Sequence, residues 1–220
     1  MQKIEAVVFD FDGTLTQLTI NFGHLRSEII KIAREYIDEE AVNKMEGHFI
    51  IEMIYEIDRN LDGRKGSTEF KNRAFEKLRA LEVDAASGKD VFPYTRDVLR
   101  SLKDRSIKIG IITRNCIDAL RIVFPDISDY VDSIVTRECI QNVKPHPEHV
   151  CKALESLKAS SKKTLTVGDH PTDVIAGRTA GTHTVGVLTG RTDREAFEKA
   201  GATYILDDIR GIINLENILS

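Results

Sequence analysis

The chain has 220 residues, 41% hydrophobic and 30% charged, with a formal net charge of −4. That is enough apolar material for one substantial domain, alone or with a smaller insertion, and it excludes a disordered chain. The acidic balance excludes a general binder of nucleic acid or of an anionic membrane, because neither polyanion is drawn to a negative surface.

The first apolar run, residues 6–9, is too short for a secretory leader and ends at Asp10; no later run is long enough to span a bilayer. Cys116, Cys139 and Cys151 are odd in number and lack paired spacing, which points to reduced thiols and a cytoplasmic location. A monomer or small homo-oligomer is expected.

In chain order, residues 4–9 predict a first strand. Residues 16–88 then show helical faces: Leu25, Ile29, Ile32 and Tyr36; Val42, Met45, Phe49, Met53 and Ile57; and Phe70, Ala74, Leu78 and Leu81. A turn over residues 61–66 separates the last two. From residue 90 onward strands and helices alternate. A helix over 94–103 precedes strands at 107–113 and 133–136. A helix over 148–157, opened by Pro147, precedes a strand at 164–167, and a helix over 173–180 precedes strands at 183–187 and 203–206. Continuous β-branched runs of this length suit strands buried on both faces. The expected fold class is α/β, a Rossmann-like doubly wound parallel sheet over residues 1–15 and 89–220, with a small all-α cap over residues 16–88.

The residues that carry chemistry follow the strands. Asp10 and Asp12 come directly after the first, where open α/β sheets place ligands, and Gly13 beside Thr14 permits a tight turn close to an anion. Thr113, Arg114 and Asn115 end the second, with a hydroxyl and amides suited to phosphate oxygens. Lys144 lies between Val143 and Pro145-His146-Pro147, and the two prolines favour a stiff, extended segment that aims the ammonium. Asp169 and Asp173 flank the turn after residues 164–167 and can converge on a hard cation. Alternatively, Asp169 or Thr172 caps the following helix and Asp173 complements its dipole.

If the strands are parallel, these groups share one edge of the sheet. Each close pair of carboxylates there repels by about 4 kcal/mol at an effective dielectric of about 20. A divalent cation and a lysine relieve that repulsion, and oxygen-only ligands favour Mg²⁺ over zinc.

The set Asp10-x-Asp12-Gly13-Thr14, Thr113, Lys144-Pro145 and Gly168-Asp169-x-x-x-Asp173 resembles the haloacid dehalogenase superfamily. The likeness is to its phosphatase branch with a helical cap after the first strand, phosphoglycolate phosphatases among it. The resemblance implies that Asp10 is the nucleophile and that Asp12 is the general acid and base, with its carbonyl on Mg²⁺. It implies that Thr113, Arg114, Asn115 and Lys144 meet phosphate, and that Asp169 and Asp173 hold the metal with Asp10. The expected activity is hydrolysis of a small phosphorylated metabolite, phosphoglycolate-like acids first, with the cap selecting the substrate.

A phosphosugar mutase of the same superfamily and a non-catalytic phosphate-binding module are the competing readings. His146, His149, His170 and Cys116 are further polar or reactive groups near these motifs, and His24, Arg26 and Lys31 are the cap cations available to an anionic substrate.

Overall fold

The computed structural model describes residues 3–61 and 66–215. The chain divides into two compact units, Met1–Thr19 with Ala86–Ser220, and Ile20–Ala85. The strands are β1 (Ala6–Asp10), β2 (Lys108–Thr113), β3 (Ser133–Thr136), β4 (Thr164–Gly168), β5 (His183–Val187) and β6 (Tyr204–Leu206). The helices are α1 (Phe22–Ala33), α2 (Glu39–Lys44), α3 (Ile50–Asn60), α4 (Ser67–Ala86), α5 (Thr95–Asp104), α6 (Ile117–Val123), α7 (Glu148–Leu157), α8 (Pro171–Thr179) and α9 (Arg194–Ala200).

All six strands form one sheet in the order β3-β2-β1-β4-β5-β6, and every pairing is parallel. This is the α/β, Rossmann-like sheet that the alternating pattern predicts. β1 and β4 are buried along their whole length, as strands covered by helices on both faces must be. Val8, Ile112 and Val135 form a core with Val150, Ala153, Leu154 and Leu157 of α7 and Ala176 of α8. The chain runs outward from β1 through β2 to β3, then returns to β1's other side through β4. The order therefore reverses at β1, and the crevice at such a reversal is where open α/β sheets bind ligands.

Several boundaries differ from the sequence expectation. Asp10 is the last residue of β1, paired with Ile112, and is not a loop residue beyond it. α8 starts at Pro171, so Asp173 lies in its first turn; the N-cap is His170, whose side chain accepts from the Thr172 N–H. Neither Asp169 nor Thr172 serves as the cap. α6 and α9 lack an apolar face long enough to have announced them.

Residues 16–19 and 86–88 belong to the larger unit. Thr16 Oγ1 donates to the Asp90 carbonyl at 2.7 Å and Phe92 N–H to the Leu15 carbonyl at 2.9 Å, which ties the two connecting segments together.

In the helical unit, Leu25, Ile29, Met53, Ile57, Phe70, Ala74 and Leu78 are buried as their spacing predicts. The stripe from Val42 to Ile57 is not one helix. It breaks between α2 and α3 at Gly47, where φ is +84°, and Phe49 is left 43% exposed. The predicted turn over residues 61–66 falls largely outside the described residues. Arg26 is committed to the Met45 and His48 carbonyls, both at 2.6 Å, and Lys31 pairs with Glu28. Both cations are therefore engaged within this unit.

Phe197 of α9 is fully buried with its ring seated over Gly186 of β5. Phe197→Ala should lower the unfolding free energy by about 3–5 kcal/mol, because the transfer loss and the cavity add. Urea unfolding of the two proteins measures this.

Candidate active site

β1 delivers Asp10 to the C-terminal edge of the sheet, and the chain then turns sharply, with Leu15 N–H bonded to the Phe11 carbonyl at 2.9 Å. Gly13 makes that turn at φ +92°, and a Cβ there would lie 2.2 Å from Asp169 Oδ2. Gly190, in the loop after β5, meets the same oxygen from another side: a Cβ would lie 2.0 Å away. Two backbones without side chains therefore flank the Asp169 carboxylate. Gly190 escaped the sequence reading, as did Thr189, whose hydroxyl donates to the Gly13 carbonyl at 2.5 Å. The available signal was a Thr-Gly pair following a strand that ends on the same edge.

Asp10, Asp169 and Asp173 each offer an oxygen within 4.8 Å of the others, and all three are buried. Lys144, 3% exposed, places Nζ 2.5 Å from Asp10 Oδ1 and 2.5 Å from Asp173 Oδ1. The Thr14 hydroxyl donates to Asp10 Oδ2 at 3.2 Å. Burial pulls the Lys144 ammonium down, but Asp10 and Asp173 more than offset this and hold its pKa above the ordinary value. Asp169 is raised, first by burial and then by the Asp10 and Asp173 charges. Asp173 is also raised by burial, with Lys144 opposing.

Three buried carboxylates against one ammonium leave the group short of positive charge. Asp173 Oδ1 has the shared Lys144 ammonium as its partner. An all-oxygen donor set short of positive charge fits a hard divalent cation, and Asp10, Asp169 and Asp173 are the residues that would hold it.

Asp12 is half-buried and stands outside that trio. Its carboxylate accepts from Thr113 Oγ1 at 3.4 Å and from Asn115 Nδ2 at 3.2 Å. Asn115 Oδ1 accepts the Cys116 N–H at 2.8 Å, which turns the amide's NH₂ toward Asp12. Thr113 and Asn115, expected on phosphate, thus surround Asp12, while Lys144 is drawn to the carboxylates. Arg114 contributes its carbonyl to Arg137 at 3.0 Å.

The Lys144 segment does not run extended. His146 N–H closes a turn on the Val143 carbonyl at 3.0 Å, and the Lys144–Pro145 peptide is cis. His146 and His149 do not form a metal pair: His146 is exposed, whereas His149 is buried with both ring nitrogens engaged by the backbone. His170 caps α8, and Cys116 is fully buried.

A strand-end aspartate paired with a buried lysine, beside two more carboxylates, thus gathers at the sheet's reversal point, where open α/β sheets bind ligands. The haloacid dehalogenase-like hydrolase family model matches residues 7–187, and the chain belongs to that family. It is a hydrolase of the phosphatase type. It is similar to pyrophosphatase PpaX of Oceanobacillus iheyensis, 28% identical over 219 residues and 97% of each chain. Its fold is shared with a hydrolase from Pseudomonas syringae, at a TM-score of 0.74 and 24% identity over 98% of this chain and 100% of that one. It is also shared with β-phosphoglucomutase from Clostridium difficile, at a TM-score of 0.70 and 23% identity over 98% and 97%.

Burial, followed by the Lys144 charge, pulls His149 from its ordinary 6.5 to about 3. Above pH 6.5 the ring is neutral whether the chain is folded or not. As pH falls from 6.5 toward 3, the unfolded chain takes up a proton that the folded chain refuses, so stability is lost. The slope from this group approaches about 1.4 kcal/mol per pH unit. The stability difference between wild type and His149→Phe should narrow with that slope from pH 6.5 to pH 4, as read from urea unfolding at each pH.

Proposed function

We propose that the chain is a Mg²⁺-dependent hydrolase of a small phosphorylated metabolite, with Asp10 as its phosphate-accepting nucleophile. The observation that carries this reading is the buried trio Asp10, Asp169 and Asp173 with Lys144 Nζ 2.5 Å from Asp10. A carboxylate oxygen of Asp10 attacks phosphorus in line, and the bond to the leaving oxygen breaks to give an aspartyl phosphate. Asp12 protonates that leaving oxygen and then, as the carboxylate, accepts a proton from the water that hydrolyses the acyl phosphate. Thr113 and Asn115 hold Asp12 between these steps and present donors to phosphate oxygens with Arg114. Lys144 offsets charge as it develops on the transferred group. The three carboxylates and the Asp12 carbonyl would hold Mg²⁺, which would supply charge neutralisation at the phosphate.

This division of labour follows from placement. Asp10 sits on the charged cluster, where Lys144 aligns it, whereas Asp12 stands outside that trio with Thr113 and Asn115 as donors. Phosphoglycolate-like acids remain the first substrate class. The name of the Oceanobacillus relative brings in pyrophosphate, whose leaving group is itself a phosphate. A mutase would require the aspartyl phosphate to be returned to substrate.

Phosphate release from phosphoglycolate, pyrophosphate and hexose phosphates, with Mg²⁺ and with EDTA, tests the reading. Hydrolysis should require Mg²⁺ and fall at least about a thousandfold in Asp10→Asn. Turnover surviving that substitution removes the nucleophile assignment, and isomerised sugar phosphate without free phosphate favours the mutase. Independently of turnover, Mg²⁺ should raise Tm, equivalent to about 2.7 kcal/mol at one hundred times its Kd, and Asp169→Asn should abolish the rise.

A further inference from the structure

β3 carries none of the groups assigned to the chemistry, yet contacts from its C-terminal end reach two of the segments that do. His149, in the first turn of α7 and fully buried, lies between Val135 and Lys144. Its Nδ1 accepts the Lys144 backbone N–H at 3.4 Å, and its Nε2 is 2.9 Å from the Val135 carbonyl. An amide N–H only donates and a carbonyl only accepts. The ring that satisfies both is therefore neutral, with its proton on Nε2.

One residue beyond β3, buried Arg137 donates to the Arg114 carbonyl at 3.0 Å. Glu138 Oε2 accepts the Ile117 N–H at 3.2 Å and the Thr136 hydroxyl at 3.1 Å. The segment from Thr113 to Ile117 is thus gripped on both sides of Asn115.

We propose that His149 is a positioning residue for Lys144, fixing the main-chain origin of the lysine against β3, where Arg137 and Glu138 fix the Thr113–Ile117 segment. The proposal rests on the reading of Asp10 and Lys144 as phosphoryl-transfer groups. A lysine side chain has four rotatable bonds, and its ammonium is aimed only if its Cα is held. The turn from Val143 to His146 passes over the Lys144 amide without bonding it, and His149 supplies that bond. A shift of about 1 Å at a charged group that acts in the transition state costs up to about a hundredfold in rate.

Three variants separate positioning from mere packing. His149→Asn keeps an acceptor near Nδ1 for the Lys144 amide. His149→Gln keeps a donor near Nε2 for Val135, and His149→Phe keeps neither. With saturating Mg²⁺, well below each variant's Tm and on the best substrate, kcat should fall about 10–100-fold in Phe and Gln with KM changed less than about threefold, and Asn should recover most of the loss. A Phe variant within twofold of wild-type kcat overturns the proposal, as does a Gln variant equal to Asn, or kcat values that simply follow Tm. If Phe fails to fold, the Asn and Gln pair decides. Wild type inactive on every phosphorylated compound would instead defeat the functional reading. In that case the ¹⁵N resonances of His149 still test the contact, and a ring carrying its proton on Nδ1, or charged at neutral pH, would overturn it.

Discussion

Lys144 is a full positive charge taken almost wholly out of water, and the arrangement around it follows from that. Removing such an ion from solvent costs several kcal/mol, which only close opposite charge can offset. Asp10 and Asp173 provide it, both at 2.5 Å. They come from β1 and α8, elements that share an edge only because the sheet is parallel and its order reverses at β1. The ion pairs therefore depend on the topology. In turn, they oblige three segments distant in sequence to meet at one point.

The same balance leaves the carboxylates incompletely neutralised. Burial and the neighbouring carboxylate charges raise Asp169 and Asp173 against the opposing pull of the one ammonium, and a bound cation would relieve that repulsion. Asp12 stands outside that trio and accepts from Thr113 at the end of β2 and from Asn115 just beyond it. Two aspartates separated by a single residue thus occupy unlike environments. That difference underlies the proposal that one acts as nucleophile and the other exchanges a proton.

Much of this was legible in the sequence because the signals were strong and local. Buried β-branched runs gave six strands, and the strand-end aspartates, Thr113 and Lys144 fell where a parallel sheet gathers its loops. What escaped depends on three-dimensional approach. Gly190 matters only because Asp169 lies against it, and His149 reads as one more polar residue on a helix until Val135 and Lys144 are seen on either side. The break between α2 and α3 was hidden because the apolar spacing continues across Gly47. The prolines around Lys144 suggested stiffness correctly, but the chain turns there and does not extend.

Asp169 is confined by Gly13 and Gly190, two positions that lie far apart in the chain. Neither glycine could drift alone during evolution, since any side chain at one displaces the same carboxyl that the other accommodates. Lengthening the acid to glutamate would also drive its head group out of the slot. The loop after β5 is thereby bound to the loop after β1, because both must leave room for the same carboxylate.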